Sequence, residues 1–300
     1  MYSYTLKNLV QFSGLDEQMI VLWNKKFKVF REEKIDKNSI FNQDDLKKLI
    51  IISFLINSNN KYTVEKLSTD LLQELQIKTE FEIQNYLQKN KDYKPLIHLL
   101  IYSCFSFDSK FFDTILTICF KKEGIQKCCL EIVFPFISTM SEILEMHTVQ
   151  ESIKSFSKNL IRKHLFYLIK STQFIENADR KWLLFLPKTE FHDIELLYTY
   201  LLLKSNSEKC IYLGENQELS IINECLENIN ITHVFTYISK QTDLDISKDY
   251  LILIKKHLPG ATIFVATYDK LKEKITDEVV YINVNNPKEI TDYLHRVMVM

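Results

Sequence analysis

Glycine and proline are scarce, at four and five in 300 residues. Neither a P-loop nor a GxGxxG fingerprint can be assembled, so a glycine-rich phosphate cradle is excluded. Scarcity of both residues also favours long helices over elaborate loops. Charge of one sign is lacking too. The formal net charge is −1, so no global field draws the chain to nucleic acid and any DNA contact must come from a local patch. The six cysteines, Cys104, Cys119, Cys128, Cys129, Cys210 and Cys225, form no CxxC pair and sit mostly in apolar patterns. They are expected to be reduced, buried thiols of a cytoplasmic protein. The start shows no charged stretch leading into an apolar run with a small-residue cleavage site, so no export signal is expected. The apolar run at 49–56 is too short to span a bilayer, and no membrane contact is expected.

What is present is ordinary globular material, 46% hydrophobic and 26% charged, long enough for two or three domains with their own cores. A first helix can start at Thr5, with Leu6, Leu9, Val10 and Phe12 inward, and stop at Gly14. Asp16 then caps a second helix through Met19, Ile20 and Trp23 to about Phe27. Two short helices on a tight Ser-Gly-Leu turn outline a helix-turn-helix. The stretch 28–41 is charged and aperiodic and reads as a wing. Asn42 caps a helix over 43–57, and Thr63 caps another through about Leu75. From 79 to 172 the apolar spacing is helical throughout, in segments 96–107, 111–120, 125–146 and 153–169, which fits a bundle of four or five antiparallel helices.

The period then changes. Apolar strand-like runs at 182–186, 210–213, 233–238, 262–267 and 279–284 alternate with helical runs at 194–203, 219–229, 246–258 and 287–299. Asp269 to Lys274 can form one helical turn. Continuous apolar strands between amphipathic helices predict a doubly wound parallel sheet covered on both faces. Five strands in this rhythm suggest the flavodoxin-like order 2-1-3-4-5, with ligands at the strand C-termini near the switch point. The expected class is therefore multidomain α and α/β: a winged helix-turn-helix at 1–75, a helical bundle at 76–178 and the α/β domain at 179–300.

Two resemblances become specific here. Tyr4-Thr5-Leu6-Lys7-Asn8-Leu9, Ser13-Gly14-Leu15, Trp23 and Asp44-Asp45-Leu46-Lys47-Lys48-Leu49 resemble the winged helix-turn-helix of MerR-family regulators. Glu190-Phe191-His192, Leu196-Leu197-Tyr198 and Tyr212-Leu213-Gly214 resemble the cobalamin-binding domain that follows such modules in light- or cobalamin-responsive repressors. Asn159-Leu160-Ile161-Arg162 resembles part of the helical bundle those proteins place between the two. The family uses an Asp-x-His-x-x-Gly motif, whose histidine ligates cobalt while the carboxylate orients the ring. The resemblance thus assigns the cobalt to His192 and the orienting role to Glu190. The glycine place is taken by Glu195, and Ala266-Thr267 stand where the family has two glycines. Thr236 or Ser239 takes the place of the family serine after strand three. Counting back from Asn159 puts the family's upper-face Trp near Leu144 and its Glu-His pair near Lys154-Ser155, and none matches. These departures imply that cobalamin binding is weakened or lost.

The DNA-facing positions depart as well. Val21 stands where MerR-type recognition helices carry arginine, and Ser39-Ile40-Phe41 replaces the wing's Arg before two aromatics. Lys25, Lys26, Lys28, Arg31, Lys34 and Lys37 still form a basic cluster around the end of helix two, diluted by Glu32, Glu33 and Asp36, and Trp23 with Lys25, Lys26, Lys28 and Arg31 is the expected DNA-contact set. Lysine can contact phosphate, whereas bidentate base reading favours arginine. An ordinary solvated face explains the same charges. Catalysis finds little support: His98, His147, His164, His233, His257 and His295 are scattered singly without zinc spacing. His164, beside Arg162 and Lys163, is expected to face solvent. Tyr198 and Tyr200 lean to opposite faces of one helix, so at most one faces the sheet. The expected function is a non-enzymatic transcriptional regulator binding double-stranded DNA as a homo-oligomer. Its sensor domain is related to cobalamin-binding domains, with cobalamin or another small molecule as effector. The alternative is an interaction or scaffold protein with decayed sites, and a methylcobalamin-carrying enzyme subunit stands last.

Overall fold

The computed structural model describes residues 3–31, 35–36, 38–146, 151–171, 179–190, 192–238, 244–268, 279–284 and 286–299. The chain divides into two compact units, Met1–Leu160 and Ile161–Met300.

In the N-terminal unit, β1 (Tyr4–Thr5) runs into α1 (Leu6–Ser13). The Thr5 hydroxyl accepts from the Asn8 amide, and the Asn8 side chain returns to the Thr5 N–H at 2.8 Å, a capping box that fixes the start. Leu6, Leu9 and Phe12 are buried as expected, and Val10 is half-buried. Gly14, at φ +67°, closes α1 in the left-handed conformation. Next comes α2 (Glu17–Phe27). Buried Asn24 shapes its exit, taking the Phe30 N–H on Oδ1 at 2.9 Å and the Lys28 N–H on its carbonyl at 2.9 Å. Of the stretch expected as a wing, β2 (Ile40–Phe41) pairs antiparallel with β1, Tyr4 opposite Phe41. Lys34, Lys37, Glu32 and Glu33 lie outside the described residues.

Asn42 caps α3 (Gln43–Ser58), a helix buried along most of its length. The next helix stops earlier than its periodicity suggests: α4 covers only Val64–Ser68, and α5 (Leu72–Lys89) begins anew. The Ser68 and Thr69 hydroxyls bond back to the Glu65 and Lys66 carbonyls, and Glu74 captures the Leu71 N–H at 3.1 Å, starting the next helix. α6 (Lys94–Phe105) and α7 (Ser109–Glu123) follow. The expected helix over 125–146 is continuous but not uniform: α8 (Ile125–Cys128) and α9 (Phe134–Met146) flank a π-helical turn at Cys129–Val133. Pro135 explains the widening, because it has no N–H to donate and its ring crowds the carbonyl four residues back, at Glu131. The Phe12 and Phe105 rings meet at 4.6 Å, so the core runs past residue 75, the expected domain boundary, without a break. α10 (Glu151–Ser171) crosses the division between the units.

One carboxylate of this unit is wholly buried. Glu82 receives Lys61 Nζ at 2.5 Å, the Tyr62 hydroxyl at 3.0 Å and Asn85 at 3.2 Å. Burial alone would raise its pKa, but the bonds from Lys61, Asn85 and Tyr62 outweigh burial and hold it below the ordinary value of 4.5. Its stabilisation is therefore complete above that value and lost as pH falls through the depressed one. Acid unfolding followed by circular dichroism is expected to be shallower below pH 4.5 in Glu82→Gln. An unchanged slope would remove Glu82 from the balance.

The C-terminal unit is a five-stranded, wholly parallel sheet. Its strands are β3 (Lys181–Pro187), β4 (Lys209–Gln217), β5 (His233–Ile238), β6 (Thr262–Thr267) and β7 (Val280–Asn283). They alternate with α11 (Asp193–Ser205), α12 (Leu219–Asn228), α13 (Leu244–His257) and, after β7, α14 (Pro287–Val299). The spatial order β4-β3-β5-β6-β7 is the expected 2-1-3-4-5. Leu183, Phe185, Val234, Ile263 and Val265 face α12 and α13. On the other face lie α11 and α14, joined by Tyr198 Oη and Thr291 Oγ1 at 2.9 Å. Tyr198 is wholly buried, and half-buried Tyr200 also turns to the sheet, stacking on Tyr212 of β4, so the expectation that at most one of the two does so fails. β4 runs to Gln217, beyond its expected end at Leu213, through two register shifts against β3, with Gly214 and Asn216 at positive φ. The possible helical turn from Asp269 to Lys274 lies outside the described residues.

Candidate functional site

From β3 the chain passes to β4 on one side and returns to β5 on the other, so the C-terminal ends of β3 and β5 flank a topological switch point. Glu190 and His192, the two residues expected from the sequence in the C-terminal unit, meet there. Glu190 is fully buried and places Oε2 3.3 Å from His192 Nδ1. His192 sits at the N-cap position of α11, its side chain 29% exposed, and its ring lies parallel to that of Tyr237 on β5, 5.7 Å away. A carboxylate on Nδ1 fixes the ring and makes Nε2 the nitrogen able to ligate a metal. Phe191 and Ser239 lie outside the described residues. Thr236, the other candidate for the serine place, is buried with no hydrogen-bond partner for its hydroxyl among the described residues.

A second cluster adjoins the pair. Arg162 on α10 donates to Asp193, the buried first residue of α11, and to Glu215 at the end of β4, the latter at 2.5 Å. Beside it, Tyr200 stacks on Tyr212 at 5.2 Å, and Phe166 meets Tyr212 edge-on at 6.4 Å. Burial pushes the Tyr212 hydroxyl well above its ordinary pKa. Sequence reasoning quoted Arg162 yet missed these pairings, which join residues 31 and 53 apart. The other histidines stay apart from the site. His164 is buried rather than solvent-facing, because spacing puts it on the stripe of α10 that holds Leu160, Ile161 and Leu165. His233 packs against Trp182 and Phe264, and burial lowers its pKa. His147 is outside the described residues, among which no group of three His, Cys, Asp or Glu could hold a metal ion.

In the N-terminal unit, Lys25, Lys26, Lys28 and Arg31 are exposed around the end of α2, and Trp23 is half-buried. Lys25 and Lys26 occupy the last helical turn, where the dipole favours cations whatever their function.

No protein-family model and no curated protein matches the chain. Solved structures do. The monomethylamine corrinoid protein of Methanosarcina barkeri is similar over 68% of this chain and 99% of its own, at 13% identity and a TM-score of 0.54. Over that stretch the chain shares the fold of this corrinoid protein. A cobalamin-binding protein from Desulfitobacterium hafniense DCB-2 (11% identity, 67% and 97% covered) and a methanol:cobalamin methyltransferase complex from M. barkeri (10%, 73% and 84%) also match. Their TM-scores are 0.34 and 0.36.

The Glu190–His192 pair fits a metal-ligating imidazole, but its surroundings do not fit a cofactor with a long nucleotide tail. Tyr237 is wholly buried under the His192 ring, and burial and nearby Glu195 raise its pKa. Ala266 is buried, and the Thr267 hydroxyl is tied to the Ile238 carbonyl at 2.6 Å. Bulk thus stands where close approach is needed. Protein mixed with hydroxocobalamin and desalted is expected to keep no stoichiometric visible absorbance. A red complex lost in His192→Ala would overturn this. Among the described residues no helix is long and apolar enough to cross a membrane.

Proposed function

We propose that the chain is a cytoplasmic, homo-oligomeric DNA-binding transcriptional regulator of MerR type. In this reading the cobalamin-binding-like domain is the sensor, serving an effector other than an intact corrinoid. The observation that carries the reading is the set of exposed cations, Lys25, Lys26, Lys28 and Arg31, at the end of the second helix of an α1-turn-α2 pair. α2 would enter the major groove while the following segment straddles the backbone, the cations lying against phosphates. An oligomer presents two such heads, and a signal shifts the balance between assemblies of different DNA affinity.

Fluorescence anisotropy with the duplex upstream of the gene, over a salt series, tests it. Log affinity is expected to fall linearly with log salt, by about 0.9 per phosphate contacted. Replacing the four cations with alanine should lower affinity roughly 100-fold and flatten that slope. A protein binding no duplex at any salt would sink the reading.

One observation favours the interaction-protein alternative. Met19, Leu22 and Ile40 are exposed apolar side chains on the same module, Ile40 at 63%. A protein partner would cover such residues, whereas phosphate contact does not need them. Loss of a co-purifying protein in Leu22→Ser with unchanged DNA binding would favour that second reading.

A further inference from the structure

The loop that leads from β3 to Glu190 and His192 holds a residue in an unfavourable conformation. Thr189 has φ +74°, in the left-handed region, where a β-branched side chain crowds its own backbone. The Glu190 N–H bonds back to the Pro187 carbonyl at 3.1 Å, closing a turn over Pro187-Lys188-Thr189-Glu190. Of the two central residues only Thr189 has positive φ, the pattern of a type II turn, whose third position calls for glycine or asparagine. A type I turn over the same four residues keeps the closing bond and puts Thr189 at φ about −90°, which threonine adopts readily. The two forms differ by a rotation of the Lys188–Thr189 peptide, about 150° in one flanking dihedral and about 170° in the other.

What selects the strained form is the Thr189 N–H. It donates to Asn216 Oδ1 at 3.1 Å, and turning the peptide over aims it the opposite way. Asn216 is held in place because both its neighbours are tied. Glu215 takes Arg162 Nη2 at 2.5 Å, and the Gln217 carbonyl takes the Tyr250 hydroxyl at 2.6 Å. Lys188 is fixed as well, with its N–H on the Tyr250 oxygen at 3.3 Å and its Nζ on Glu218 at 2.8 Å. Those ties lie outside the rotating peptide and survive its rotation. One hydrogen bond therefore stands against one steric cost of the same order. Asparagine also suits the other orientation, since its amide carries donors as well as an acceptor.

We propose that this turn is a two-position latch on the segment that carries Glu190 and His192. In the strained position Asn216 accepts from Thr189. In the relaxed one the peptide is turned over, Thr189 leaves the left-handed region, and the Asn216 amide donates to the Lys188 carbonyl. The group facing away from Asn216 changes too, from the carbonyl to the N–H, just before buried Glu190. Anything that draws Asn216 away, or accepts from the freed N–H, shifts the balance to the relaxed position. Use of the latch by a sensor rests on the proposed function; the latch itself does not.

Thermal melts of the full chain in a Trp23→Phe background, followed by Trp182 fluorescence, test the strain. Replacing a residue with glycine ordinarily costs stability, because the unfolded chain gains freedom. Thr189→Gly should instead raise the midpoint, by about 2–4 °C. Asn216→Leu removes the bond that selects the strained form, so adding Thr189→Gly to it should lower the midpoint. Relaxation dispersion of backbone amides tests the two positions. Exchange at Thr189 and Glu190 on the microsecond-to-millisecond scale is expected in the wild type. It should vanish in Thr189→Gly and in Asn216→Asp, whose carboxylate only accepts. A Thr189→Gly chain that melts lower overturns the strain, as does an equal shift with and without Asn216→Leu. A wild type with no exchange at these amides overturns the second position. A latch found in a protein that binds no duplex would fail the DNA reading alone.

Discussion

Glu208→Ala is expected to cost the C-terminal unit about 3–5 kcal/mol, the range found when one partner of a buried ion pair is removed. Glu208 is 1% exposed and lies just before β4. Its carboxylate takes Arg180 Nε at 3.0 Å and Nη2 at 2.8 Å, together with the Trp182 indole N–H at 2.9 Å. Alanine would leave a partly buried guanidinium and a wholly buried indole N–H without their acceptor. Arg180 also donates to the Val297 carbonyl at 2.6 Å and the Met298 carbonyl at 3.2 Å, so this cluster pins the end of α14 beneath the sheet. Glu208→Gln keeps an acceptor for the indole and loses the charge, so its cost should be roughly half. Urea unfolding in a Trp23→Phe background, followed by Trp182 fluorescence, measures both. A loss under 1 kcal/mol in the alanine variant would show that the cluster contributes little.

Gly14→Ala should be nearly as damaging to the N-terminal unit, at about 2–3 kcal/mol. Two causes add. The left-handed backbone at φ +67° disfavours any Cβ, and that Cβ would meet His98 Nε2 at 2.7 Å. The causes can be separated, because His98→Ala removes only the second. Gly14→Ala and His98→Ala together should therefore cost at least 0.5 kcal/mol or so less than their sum. Strict additivity would mean that the imidazole yields freely. Burial lowers the His98 pKa below its ordinary 6.5, so the unfolded chain binds the proton more readily than the native one. Stability is then expected to fall as pH drops below 6.5 in the wild type, and to fall less in His98→Ala. That window opens at 6.5, above the 4.5 at which the one governed by Glu82 opens.

Legibility in the sequence followed the physics of each element. Strands buried on both faces read as unbroken apolar runs, so β3, β5 and β6 stood out, and their rhythm with the helices gave the sheet order. Asn42, Thr63 and Gly14 announced their helix ends through capping chemistry. The break between α4 and α5 was hidden because leucines at 67, 71, 72 and 75 keep a helical period, and hydroxyls bonding back to carbonyls decided the matter. The last third of β4 was hidden for the opposite reason, since Gly214, Glu215 and Asn216 carry no apolar signal. Of the site, Glu190 and His192 could be found only through the family resemblance, whose motif sets a carboxylate two residues before its histidine. Arg162 with Asp193 and Glu215, and Tyr237 beneath His192, are products of folding that no local pattern records.

The two left-handed residues near the end of β4 also bear on how the molecule behaves in a crowded solution. Among the described residues β4 is an outer strand bonded only to β3, and an outer strand nine residues long is a ready template for endless stacking of identical sheets. Gly214 and Asn216 skew its outer row of amides and carbonyls out of line, and Lys209 puts a charge at its other end. Irregularity there makes this edge a poorer template for its own kind.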